Sequence, residues 1–426
     1  MAFDHSHGSG QRVAIVGGGI SGLASAWLLS DQHRVTLFEA SPRLGGHART
    51  VLAGRRGDQW VDTGFIVFNY VTYPHLTRLF NELDVPVERS DMSFALSVDG
   101  GRFEYALRTL NSVFGQRRNL ADPRFHAMIR DLLRFNASAE TLADDPDLTL
   151  GDLAKKLDLG DRFKEFYLRP MCGAIWSTPP ERVFEFPARA LIQFFRNHGL
   201  LGLTGQHQWW TVSGGSLSYV QRLEAALRTR GVEIRSGCPV GAVTRADDGV
   251  ELFSATHEPQ VFDQVVFACH ADEALRLIAN PTDAETQTLG AIRFQDNHAV
   301  LHRDPRQMPR RRRCWASWCV QSGGRPADNP VGVTYWMNKL QNIPEDDPLF
   351  VTLNAAETIP DNLVYDEARF RHPVFDLAAL EAQSALGSLQ GQNRSWFAGA
   401  WMRNGFHEDG FASALRISKR LAPAVV

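Results

Sequence analysis

Two short apolar runs with a helical stretch between them open the chain. Arg12-Val13-Ala14-Ile15-Val16 is apolar without alternation, the pattern of a strand buried on both faces of a parallel sheet. After three glycines, the apolar stretch 23–29 predicts a helix, and Val35-Thr36-Leu37-Phe38-Glu39 predicts a second strand ending in an acid. Leu76, Leu79, Phe80 and Leu83 recur at helical spacing, so 73–135 reads as mainly helical, with a further amphipathic stretch over 131–135. Residues 163–176 and 186–195 are aromatic and apolar. A helix is expected over 219–230, with strands at 232–234, 240–243 and 262–270. Strands are also expected within 290–303, 331–336, 349–353 and 395–400, and 405–415 opens a last helix. There is no internal repeat.

Composition narrows the class. With 426 residues the chain has room for two or three domains of ~150 residues each. Hydrophobic residues at 44% and charged residues at 22% are ordinary globular usage, which excludes a disordered, collagen-like or disulfide-stapled chain. The net charge of −3 offers no global attraction to nucleic acid, and no such partner is expected. Five cysteines, at 172, 238, 269, 314 and 319, are odd in number and form no CxxC, so reduced thiols, no metal site and a cytoplasmic location are expected. Residues 13–29 imitate a signal peptide, with Ala24-Ser25-Ala26 as its cleavage site, but the glycines interrupt the apolar core. No run of eighteen apolar residues predicts a spanning helix.

The chemistry begins at those glycines. Gly17, Gly19 and Gly22 fit GxGxxG between strand and helix. Gly17 permits the tight turn, Gly19 admits a pyrophosphate to the backbone, and Gly22 lets the helix pack on the sheet. Ile20 and Ser21 open a helix whose free N–H groups face the phosphates. Glu39, followed by Ala40, stands 22 residues after Gly17, where a carboxylate accepts ribose hydroxyls and repels a 2′-phosphate. Then Arg43-Leu44-Gly45-Gly46-His47 supplies a second glycine pair with Arg43 and Arg49 as cations, and Asp62-Thr63-Gly64-Phe65 follows.

At this point the chain resembles the flavin-containing amine oxidase superfamily, whose N-terminal pattern is GxGxxGLxxAxxL, an acid, RxGGR and a later DxG. His47 stands where that family has Arg, and Arg49 is the residue that could compensate. The resemblance implies non-covalent FAD. It implies an α/β fold: a Rossmann-like FAD-binding domain from 10–70, 205–270 and 390–426, with a discontinuous α+β substrate or cap domain from 71–204 and 271–389. It places the Val240 backbone against adenine, Ala268 at the end of the strand closing the sheet, and Gly399 before the closing motif. There Gly410 and Phe411 open a helix aimed at the flavin. Ala400 stands where the family has an acid and Ala414 where it has Gly, which leaves Glu408 or Asp409 to supply the ribityl contact.

The strings VDTGFIVFNYVTYPHLTRLF, RPMCGAIWSTPP, FPARALIQFFRNHGLL and NGFHEDGFASAL extend the resemblance to bacterial amine-oxidase-like FAD/NAD-binding proteins. These are grouped with cyclopropane-fatty-acyl synthase-like methyltransferases. The implied function is an FAD-dependent oxidoreductase that takes a hydride from a C–C or C–N bond, with an acyl chain as one substrate class. An amine oxidase, a non-redox isomerase and a non-catalytic partner of a lipid methyltransferase are the alternatives. No GxSxG or HExxH motif competes with this. Amine oxidases use a Lys near the flavin, and the comparable stretch 294–302 holds none, leaving His298 as a proton-transfer candidate or a merely hydrogen-bonded strand histidine. Trp401 is the aromatic candidate beside the ring, and His407 sits in the closing loop. Arg310 to Arg313, Arg117, Arg118 and Arg124 either meet anionic lipid headgroups or sit in solvated loops, so a membrane-peripheral location is the variant of the cytoplasmic one.

Overall fold

Arg12–Val16 is the middle of a five-stranded, all-parallel sheet ordered Glu233–Arg235, Arg34–Phe38, Arg12–Val16, Gln264–Phe267 and Ser395–Phe397. The computed structural model describes residues 10–142, 145, 148–176, 180–197, 201, 207–322, 332–355 and 357–422. Residues 177–179, 198–200, 205–206, 331 and 423–426, which belong to stretches singled out in the sequence, lie outside the described residues.

Strand alternation divides the sheet's side chains between two cores. Val13, Ile15, Leu37, Val266 and Trp396 face one way, against the helices Ile20–Leu29, Leu217–Thr229 and His407–Leu421. Ala14, Val16, Phe38, Val265, Phe267 and Phe397 face the other way. There they meet the antiparallel strands Val240–Ala246, Gly249–Ser254 and Gln260–Phe262 and the helices Ala271–Leu277, Asp283–Gly290 and Leu377–Leu389.

A second, seven-stranded sheet runs in the order Val364–Pro373, Phe294–His302, Phe350–Leu353, Gly332–Trp336, Trp318–Ser322, Phe94–Val98, Phe103–Ala106. Its one parallel pairing is between Phe94–Val98 and Trp318–Ser322. Helices between Pro123 and Asn197 bury an aromatic-rich core of Phe125, Phe135, Phe163, Tyr167 and Phe195 against it. A three-stranded sheet, Val67–Asn69, Trp209–Val212 and Val87–Ser90, lies between the two regions in the chain path.

The mainly helical expectation for 73–135 needs correction. Pro74–Glu82 and Pro123–Leu142 are helices, but Val87–Ser90, Phe94–Val98 and Phe103–Ala106 between them are strands. Phe94–Val98 is buried at all five positions, so it shows no alternation to betray it. The hairpin turn is marked instead by the positive φ of Asp99 (47°), Gly100 (58°) and Gly101 (91°). Among the described residues no group of three or more His, Cys, Asp or Glu side chains could hold a metal ion. No described helix is long and apolar enough to cross a membrane.

Candidate functional site

The parallel sheet ends in two glycine turns that touch. Gly17, at φ +111°, donates its N–H to Phe38 O at 2.8 Å, and a Cβ there would lie 2.7 Å from Ala268 O. A Cβ on Gly22 would lie 1.8 Å from Gly17 O, so the helix packs on the turn only because that residue is Gly. Gly19 differs: its backbone is extended, and a Cβ would meet only Gly46 Cα, at 3.9 Å. It therefore faces a crevice between the first turn and the second, which Gly45 ties back through its N–H to Gly18 O at 2.9 Å. Ile20 and Ser21 begin the helix with no side-chain cap, leaving its first N–H groups and positive dipole end toward that crevice.

Glu39 stands at the crevice edge. One carboxylate oxygen accepts the Gly18 N–H at 2.6 Å and the other the Ser41 N–H at 2.7 Å. Backbone bonds from Cys238 to Glu39 and from Gly237 to Ser41 bring the segment leading to Val240 alongside, while Ala40 is exposed. Leu44 is buried under the second turn, and Arg43 remains at the surface, its guanidinium donating to Gly46 O at 3.0 Å. Ala268 joins the sheet at its N–H to Val16 O, 2.8 Å.

A third turn closes on the second. Phe65 donates its N–H to His47 O (2.9 Å) and Thr63 to Arg49 O (2.8 Å), and a Cβ on Gly64 would lie 2.0 Å from His47 O. The Phe65 ring stacks on His407 at 3.8 Å, and His407 Nε2 is 3.0 Å from the Tyr219 hydroxyl. His407 opens the closing helix, and a Cβ on Gly410 would lie 2.8 Å from Ser21 Oγ, so two helix N-termini converge on one place. Phe411, buried, stacks on His75. Gly399 donates its N–H to Ser413 Oγ at 3.0 Å and fixes the strand end against this helix.

Three imidazoles form the adjoining wall. The His47 ring lies 6.0 Å from His270 and 5.6 Å from His372, and 5.1 Å from the Phe370 ring. His270 stacks on Phe294 at 4.3 Å, and Asn297 Nδ2 is 3.1 Å from His372 Nδ1. Burial, with mutual repulsion second for His47 and His372, pushes His47 and His270 down to about 4 and His372 and His407 to about 3. All four are uncharged at neutral pH.

Some residues singled out in the sequence stand elsewhere. His298 is not at the crevice. It is half exposed on the outer face of its strand, with Nε2 2.9 Å from Glu367. Strand alternation turns its neighbour Asn297 toward the imidazoles instead. Trp401, 3% exposed, packs into the core on the far side of the sheet and donates its indole N–H to Cys269 O at 3.0 Å, so it presents no free aromatic face. Glu408 accepts the N–H groups of His75 and Leu76 at the start of Pro74–Glu82, and Asp409 those of Asn404 and Phe406. Both cap helices. Arg49 does not stand free for a phosphate: it grips Asp366 of the seven-stranded sheet and Thr63 Oγ1.

Asp62 is the residue the motif undersold. It is 1% exposed and accepts from Thr50 Oγ1 (2.6 Å), Ser216 Oγ (2.7 Å), Ser216 N–H (2.8 Å) and Gln341 Nε2 (3.0 Å). It thus joins the Thr50–Ala53 hairpin, the N-terminus of Leu217–Thr229 and the second sheet's periphery. Burial raises its carboxyl to about 6 despite those donors. The DxG pattern signals it. The imidazole wall, drawn from 47, 270 and 372, has no local pattern at all.

Comparison with known proteins places this geometry. The Flavin containing amine oxidoreductase family matches residues 20–407. Protoporphyrinogen oxidase of Bos taurus is 26% identical over 328 residues, covering 66% of this chain and 65% of that protein, and the Homo sapiens enzyme is 26% identical over 325 residues with the same coverage. The chain thus spans a little under two thirds of these curated relatives' length. Among solved structures, a CLA-producing fatty acid isomerase from P. acnes superposes with TM-score 0.69 at 15% identity, over 96% of this chain and 98% of that one. Putrescine oxidase bound to putrescine gives TM-score 0.69 at 16% identity, over 96% and 99%. The match runs from the first residue of the Ile20–Leu29 helix to the first residue of the closing helix, and the chain belongs to the flavin containing amine oxidoreductase family.

Proposed function

We propose that the protein is an FAD-dependent oxidoreductase that binds its flavin non-covalently and acts on an apolar, acyl-type chain. The residues fit the cofactor. A Cβ at Gly19 would enter otherwise open space between the turns, which is the room a pyrophosphate needs, and the uncapped start of Ile20–Leu29 offers its N–H groups there. Glu39 is held where a ribose diol would meet it, and Arg43 supplies the cation at the crevice mouth. The flavin, when bound, supplies the capacity to accept a hydride from carbon.

The observation that carries the substrate class is the wall of His47, His270 and His372 with Phe370 and Phe294. Its imidazoles are uncharged at neutral pH, and Arg371, over Phe294 at its edge, is paired with Asp272, so the ring faces receive an apolar chain at little desolvation cost. Asn297 Nδ2, 3.1 Å from His372 Nδ1, orients that ring in the wall. A redox-neutral isomerisation of an unsaturated chain is the second reading, supported by the same wall and by the shared fold with a fatty acid isomerase.

The test is anaerobic absorption spectroscopy of the purified protein with unsaturated or methylated fatty acyl chains and with amines. The expected result is a yellow protein that loses its flavin on denaturation and whose ~450 nm band bleaches with acyl chains only. Double-bond migration without bleaching at steady state selects the isomerase. Bleaching by amines alone overturns the substrate class, and a colourless protein that cannot be reconstituted overturns the whole reading.

A further inference from the structure

The two arginine runs, almost two hundred residues apart in sequence, share one surface. The hinge is Glu104, fully buried, whose carboxylate accepts the Arg310 N–H (2.7 Å), the Arg311 N–H (3.2 Å) and Arg311 Nη1 (2.8 Å). Gln116, next to Arg117, takes the Glu104 N–H at 2.9 Å and donates to Arg102 O at 3.0 Å. A Cβ on Gly115 would lie 2.5 Å from Cys314 Sγ, so the loops are in direct contact. The segments 99–104, 110–121 and 309–314 carry seven arginines and two carboxylates, Asp99 and the buried Glu104. Arg312 pairs with Glu345, but Arg118, Arg310 and Arg313 are exposed and have no carboxylate partner among the described residues. On the same elements Leu110 is 80% exposed and Leu120 53% exposed.

We infer that this face docks on an anionic lipid bilayer. Charge chooses the partner: unpaired guanidiniums on a protein of net charge −3 concentrate positive potential at one spot, and a phosphate-rich surface complements it. The leucines choose a bilayer over a soluble polyanion. Leu110, largely exposed, and Leu120, half exposed, enter the acyl boundary while the arginines stay at headgroup level. The inference does not depend on flavin chemistry, although a lipid-surface enzyme would meet acyl chains there.

Flotation of the FAD-loaded full chain with phosphatidylcholine vesicles, with and without phosphatidylglycerol, tests it. Binding is expected only with phosphatidylglycerol and is expected to weaken as salt rises. Arg118→Ala and Arg313→Ala should each weaken partition roughly fivefold, the loss of one cation near the surface. Leu110→Ser should weaken it further at high salt, where the apolar part remains. Unchanged melting temperature and FAD content certify the variants. No flotation with anionic vesicles, or flotation indifferent to both arginines, overturns the proposal. Binding that ignores Leu110 and is matched by RNA of equal charge also overturns it, in favour of a soluble polyanion.

Discussion

Asp62 shows how one side chain holds a site it does not enter. Four donors converge on its carboxylate from three parts of the chain. Asp62→Ala leaves Ser216 N–H, Thr50 and Gln341 without an acceptor in a dry place, and it should cost about 2–4 kcal/mol in denaturant unfolding. Asp62→Asn keeps the shape and should cost less than the alanine. His47 offers the opposite experiment. His47→Arg restores the family's usual residue but puts a permanent charge beside His270, His372 and Phe370. The FAD-free variant should melt several degrees lower than wild type, and added FAD, bringing pyrophosphate, should raise its melting temperature by more than it raises wild type's. An equal rise in both proteins would show that His47 does not border the pyrophosphate.

At the scale of elements, the glycine turns separate folding from binding. Gly22→Ala places a methyl 1.8 Å from Gly17 O, so the Ile20–Leu29 helix must move off the sheet, and both stability and FAD content should fall. Gly19→Ala has extended backbone and open space, so the FAD-free fold should melt within a degree or two of wild type while FAD affinity drops at least tenfold. Titration of FAD into the two variants, read beside their melting curves, checks both. These turns, and the strands and helix around them, were legible because local spacing encodes them: Gly17, Gly19, Gly22 and Glu39 lie within one βαβ unit. The strand choice in 294–302 failed by a single residue. His298 and Asn297 point to opposite faces, and only the pairing of Phe294–His302 with Val364–Pro373 tells which face is inward. Phe94–Val98 was illegible because burial on both faces erases alternation. Trp401 looked like a ring neighbour by its place after Gly399, but its indole turns back under the sheet to Cys269.

Taken as a whole, the molecule hides many imidazoles. Burial, which disfavours the cation, pushes His47, His270 and His302 down to about 4 and His372 and His407 to about 3. Their folded-state values lie below the unfolded value, so the unfolded chain binds more protons and stability is lost as pH falls from about 6.5 toward 4. Asp62 and Asp409, raised to about 6 by burial, act in the opposite sense, since their contribution is lost as pH rises through 6. His75 is lowered and Glu408 raised as well, so six imidazoles stand against three carboxylates. The imidazoles therefore set the sign, and unfolding takes up protons as pH falls below about 6.5. Melting temperature should therefore fall steeply between pH 6 and pH 4.5, and a flat profile would place these imidazoles in contact with water.

The five-stranded sheet also sets a schedule for making the protein. Its central strand, Arg12–Val16, is made before the other four, but its neighbour Gln264–Phe267 comes hundreds of residues later and its edge Ser395–Phe397 later still. At cellular elongation rates the interval is on the order of half a minute. During it, Arg12–Val16 presents an unpaired apolar edge and the crevice has one wall. The helix His407–Leu421, which packs on Ile20–Leu29 through Gly410, is the piece that completes the site. The crevice is thus complete only once His407–Leu421 has been made, and until Gln264–Phe267 is made one side of Arg12–Val16 stays unpaired.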